Sequence, residues 1–147
     1  MIALLLALAV ADPPRQTTPP SPIDGLPIAG LPRQALPTRG CAAYLFSGGK
    51  TRVLVAMATA DAATLRIALD GTVADYARGT QIGTAGFGFA ATTEYRARDV
   101  TATLDLAVQP RRDLSQGAVV DSGTLRIDRP GKDTIVLPVA GLIGCAT

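Results

Sequence analysis

Thr134-Ile135-Val136-Leu137-Pro138-Val139-Ala140-Gly141-Leu142-Ile143-Gly144-Cys145 is the longest uncharged, branched-aliphatic run outside the N-terminus. Such a run, bounded by turn residues and rich in β-branched side chains, predicts a buried strand. It ends in one of only two cysteines; the other, Cys41, stands where a proline-rich region stops. Cys41 and Cys145 are therefore expected to form a disulfide that staples the end of a domain to its start. Over a loop of that length, the chain-entropy model allows up to ~4.7 kcal/mol of stabilisation.

Upstream of this pair the chain divides by composition. Residues 1–11 (Met1-Ile2-Ala3-Leu4-Leu5-Leu6-Ala7-Leu8-Ala9-Val10-Ala11) read as a signal peptide, with Ala9-Val10-Ala11 as the small-x-small cleavage site. The apolar stretch is about half the ~20 residues of a membrane-spanning helix, so no integral membrane segment is expected after processing. No Lys or Arg precedes it. Residues 12–40 hold most of the eleven prolines and read as a disordered linker with polyproline character. Within it, Gly25-Leu26-Pro27-Ile28-Ala29, Gly30-Leu31-Pro32-Arg33-Gln34 and Ala35-Leu36-Pro37-Thr38-Arg39 repeat one five-residue unit. A semi-rigid spacer is the plain reading of that repeat; docking of a Leu-Pro unit on the domain or in a partner groove is the sharper one.

From Cys41 onward, short apolar segments alternate with turn residues. Ala42–Phe46, Arg52–Ala58, Thr64–Leu69, Thr72–Tyr76, Val100–Val108, Ala118–Val120 and Gly123–Asp128 precede the final strand. Val100, Ala102, Leu104, Leu106 and Val108 alternate most cleanly, and Asp70-Gly71 is a hairpin signal. A helix over 61–69 competes for the segment before that turn. The Asp-Gly turn and the β-rich surroundings favour a strand. Thr-Leu-Arg-Ile occurs at 64–67 and again at 124–127. Seven to nine strands over 41–147 predict an all-β fold: an antiparallel β-sandwich or small β-barrel, preceded by the signal peptide and linker.

Composition narrows function chiefly by what it lacks. The chain has no histidine and a net charge of +2. A Ser-His or Cys-His nucleophile and a histidine-based metal site are absent, so no catalytic residue, metal or cofactor is assigned and the chain is read as a non-enzyme. So small a charge makes no case for nucleic acid. Gly48-Gly49-Lys50-Thr51 lacks the upstream glycine of a phosphate loop and reads as a turn. Residues 79–91 are the least regular part, either a loose glycine loop or a loop presenting Phe87 and Phe89 to a partner. Arg96, Arg98, Arg111 and Arg112 are the one basic concentration. Arg96 and Arg98 are expected on one strand face, solvated or facing an anionic envelope polymer.

Exported all-β lysozyme inhibitors of bacteria combine small size, a signal peptide, a disulfide and an Ala-x-Leu-x-[Leu/Ile] strand beside an Asp-Gly turn. Ala63-Thr64-Leu65-Arg66-Ile67-Ala68-Leu69-Asp70-Gly71 is similar to that strand. The resemblance covers these residues alone and carries over no functional residue. The expected function is an exported, periplasmic or secreted, non-catalytic binding or structural domain of a bacterial-type cell envelope, its partner a protein or envelope component. The alternative that the resemblance implies is a secreted inhibitor of a cell-wall hydrolase.

Overall fold

Eight strands each pair antiparallel with the next: β2 (Cys41–Ser47), β3 (Leu54–Thr59), β4 (Thr64–Leu69), β5 (Thr72–Ile82), β6 (Thr92–Ala97), β7 (Val100–Pro110), β8 (Gly117–Asp128) and β9 (Ile135–Cys145). The computed structural model describes residues 22–50 and 52–147. The signal-peptide reading of 1–11 and the linker reading of 12–21 lie outside the described residues. Among the described residues no helix is long and apolar enough to cross a membrane.

The last strand pairs back on the first, from Cys41↔Cys145 to Ser47↔Val139. The sheet is thus a closed up-and-down barrel, which corrects the sandwich half of the expectation. Closure gives each of the eight strands a neighbour on both sides. Gly141 permits the close crossing at this seam, because a Cβ there would collide with the Tyr44 carbonyl. Pro138 sits just past the end of β2, where its carbonyl accepts the Gly48 N–H at 3.1 Å and its missing donor breaks no ladder bond. The Cys41 and Cys145 sulfurs are 2.01 Å apart, the separation of a disulfide, as the sequence predicts. That bond is compatible with an oxidising compartment.

Inward positions fill the barrel: Leu45, Leu65, Ile67, Tyr95, Leu104, Leu125, Ile127 and Val120 are essentially without exposed surface. On β7, Ala102, Leu104 and Leu106 are buried, with Val100 and Val108 packed against the same cluster, as the alternation predicts. The two Thr-Leu-Arg-Ile copies occupy β4 and β8, which lie half-way round the barrel from each other. In both, Leu and Ile point inward.

The described part of the proline-rich stretch, 22–40, is packed on the barrel rather than free. Pro22 to Ala29 form a small hairpin in which the Ile23 N–H donates to the Ile28 carbonyl at 3.0 Å. Its far limb, β1 (Ile28–Ala29), pairs with Leu69 and Ala68 of β4. Ile23 and Ile28 enter the barrel core. Beyond them, Ala29 and Leu31 lie against the outer wall with Ala42, Met57 and Ala68, a second apolar cluster. The Tyr44 hydroxyl donates to the Ala35 carbonyl at 2.9 Å, and Arg66 Nη1 donates to Gln34 Oε1 at 2.8 Å. The five-residue period explains the unequal use of the repeat, since it matches no straight stripe. Leu26 packs on the inner cluster, Leu31 on the outer one, and Leu36 stays 70% exposed.

Candidate functional site

The register sorts the connections between two ends of the barrel. One end carries the N-terminal hairpin, the Asp70-Gly71 turn, the Arg98-Asp99 turn and the β8–β9 connection. There Arg129 Nη1 meets Asp70 Oδ2 at 2.7 Å and ties two turns together. The opposite end carries the β3–β4 turn, the β5–β6 loop (83–91), the β7–β8 loop (111–116) and the disulfide.

The 83–91 loop is itself a hairpin. Gly86 and Phe89 exchange backbone hydrogen bonds of 3.2 and 3.0 Å, and the Ala85 N–H also donates to the Phe89 carbonyl. Phe87 and Gly88 form its tip with φ of +57° and +84°. Two successive positive φ values are the type I′ pattern, which selects Asn, Asp or Gly at its first position. Among the described residues that tip recurs twice with Asp, at Asp24-Gly25 (φ +49° and +74°) and Asp70-Gly71 (+51° and +80°). At Phe87 a bulky side chain takes the Asp's place, a conformation that costs an L-residue about 1–2 kcal/mol.

The two phenylalanines have opposite fates. Phe89 is buried in the barrel core and anchors the loop. Phe87, at the tip, keeps 36% of its surface exposed, the smallest share among the exposed large apolar side chains described. The loop leans on the β3–β4 turn, since a Cβ at Gly88 would come within 2.9 Å of the Ala60 methyl. Behind that turn, a groove of about 590 Å³ separates the 34–39 strap from Met57, Thr59, Asp61 and Ala62. Sequence reasoning missed this groove, because spacer composition hid the strap that forms one wall.

The four arginines do not share a surface. Arg96 projects from the outer wall on β6 and is held by Glu94 at 2.6 Å. Arg98 lies beyond the end of β6, in a turn with φ +55°, so the alternation that aligns it with Arg96 stops one residue short. Arg111 and Arg112 sit at the other end of β7, a strand of 11 residues spanning roughly 33 Å. Arg111 forks onto Asp113, both bonds 3.0 Å, and the hydrogen bond from Arg111 holds the Asp113 carboxyl below its ordinary range. Among the described residues, no three His, Cys, Asp or Glu side chains gather as a metal-ligand set. The stretch similar to the inhibitors' strand is β4 with its turn, and its Leu65, Ile67 and Leu69 are core residues.

No family model, curated relative or solved structure matches this chain.

Proposed function

We propose that the chain is an exported, non-catalytic binding domain of a bacterial-type cell envelope, periplasmic or secreted, that engages a protein partner through the tip of its 83–91 hairpin. Phe87 is the inserted side chain. One observation carries this reading: among the described residues three X-Gly turns share two successive positive φ values, and the one without Asp carries a partly exposed aromatic ring. A side chain held at a conformational disadvantage is better explained by what it contacts than by the fold it sits in. Aromatic anchors on rigid scaffolds are also the residues on which interface energy concentrates. The packed barrel supplies the scaffold, and the core Phe89 fixes the tip.

Deleting 79–91 would remove the last residues of β5 together with Phe89, so the test belongs at the tip. Capture from envelope extract is compared for the parent and Phe87→Asn, which keeps a residue suited to the turn. The parent is expected to retain a partner that Phe87→Asn loses, with a fall in affinity of about 30-fold or more, the ~2 kcal/mol of an interface anchor. Equal capture by both proteins sinks the reading. A single cell-wall hydrolase in the bound fraction, inhibited by the parent and not by the variant, gives the inhibitor form of the same function.

A further inference from the structure

The N-terminal segment has an arrangement that the tip does not explain. Residues 22–39 are not needed to close the ring of strands, since β2 to β9 close on one another and Cys41–Cys145 locks the seam. The segment joins that barrel through one peptide link, Gly40–Cys41. Yet its contacts are specific: Ile28↔Leu69 and Ala29↔Ala68 in the sheet, the Leu31 N–H to the Leu54 carbonyl at 2.7 Å, and Ile23 and Ile28 in the core. The wall beneath it is apolar: Ala42, Met57 and Ala68 form one buried cluster with Ala29 and Leu31 of the segment. A bare face of that kind does not persist in water; it is covered by its own segment or by an identical one.

We infer that residues 22–39 are an exchangeable segment, and that the same segment from a second copy of this chain can replace it to form a reciprocal dimer. Every segment–barrel contact is identical in the two forms, so the balance is set at the hinge and by concentration. The hinge is Pro37-Thr38-Arg39-Gly40. Gly40 has φ +65°, and Asp61 occupies the space a Cβ would need, so the chain turns tightly into β2. Pro37 favours an extended path, and short constrained hinges invite exchange. A short connection gives the chain's own segment a millimolar-range effective concentration. The dimer therefore forms when protein folds at comparable concentration. It persists afterwards because release must withdraw both isoleucines from the core.

The test uses two differently tagged full chains, Ala29→Cys and Ala68→Cys, unfolded with Cys41–Cys145 intact, refolded together at millimolar-range concentration and then oxidised. Both alanines are buried, 2% and 0% exposed, so collision of folded monomers does not join them. The expected product is a covalent heterodimer that falls by roughly tenfold or more when refolding is done at hundredfold dilution. The double variant in one chain, refolded dilute, must link internally, which proves that the pair can bond. An internal link in that control with no heterodimer in the mixture overturns the proposal. Unmodified protein refolded at high concentration gives an independent reading by light scattering: a species of twice the mass supports exchange, and a wholly monomeric sample overturns it.

Discussion

Both ends of the barrel are closed by a hairpin with an X-Gly tip, and they differ in what the tip displays. At one end the Asp24-Gly25 hairpin tucks Ile23 and Ile28 inside and shows a small polar residue to solvent. At the other, the Phe87-Gly88 hairpin tucks Phe89 inside and shows an aromatic ring. Backbone geometry and core anchoring are alike, so neither accounts for the difference. The comparison separates the part of each hairpin that holds the fold from the part free to serve another purpose.

The sharpest way to break that separation is at the two phenylalanines. Phe89→Ala removes a core anchor and is expected to lower stability by about 3–5 kcal/mol in chemical denaturation. Phe87→Ala, two residues away, is expected to change it by about 0.5 kcal/mol at most. Comparable losses from both would mean that the tip ring is structural, and the proposed binding role would fall. Ile28→Ala makes the matching test at the opposite end. Ile28 has no exposed surface, so a loss of about 2–5 kcal/mol is expected. A loss below about 1 kcal/mol would show that the N-terminal hairpin contributes little to the core. A smaller effect of opposite sign belongs to Phe87→Asn, which relieves a bulky residue at positive φ and is expected to stabilise by about 1 kcal/mol. If it destabilises instead, the turn-strain argument is wrong.

The two ends were not equally legible in the chain. Asp70-Gly71 between alternating strands announces its hairpin, and Cys41 and Cys145 announce their bond because they bracket the strand-rich region. Ile23-Asp24-Gly25 carries the same Asp-Gly signal, but prolines on both sides make the composition read as spacer. Local turn chemistry was present there and was outweighed by a compositional average. Phe87-Gly88 gives no turn signal, because the residue that occupies the tip is not one the tip selects. Sandwich and barrel were indistinguishable for a different reason. Closure depends on the β2–β9 and β4–β5 pairings occurring in one sheet, and strand periodicity does not encode which distant strands meet. Nor could alternation around Ala97 reveal that β6 ends before Arg98.

The mildest contrast between the ends lies in their buried tyrosines and is absent at neutral pH. Tyr95, beside Arg78 of the loop end, has its phenol pushed up by burial, against smaller opposing effects of the Thr93 hydrogen bond and Arg78. Tyr76, nearer the hairpin end, is pushed up by burial and then by Asp70, while Arg129 and Arg98 pull the other way. A phenol raised in the folded state contributes its full stability below its unfolded value of about 10. Above that value the unfolded chain sheds its proton first, so the unfolded state binds fewer protons and stability falls as pH rises toward the folded pKa. With no histidine in the chain, the denaturation midpoint is expected to stay level from neutral pH to about 9 and to decline above about 10. Tyr95→Phe should flatten the decline more than Tyr76→Phe, because burial is the first cause of both shifts and Tyr95 is the more deeply buried residue, 1% against 6% exposed. A decline that begins near neutrality, or one that neither substitution flattens, would place the alkaline sensitivity outside the barrel interior and remove this distinction between its ends.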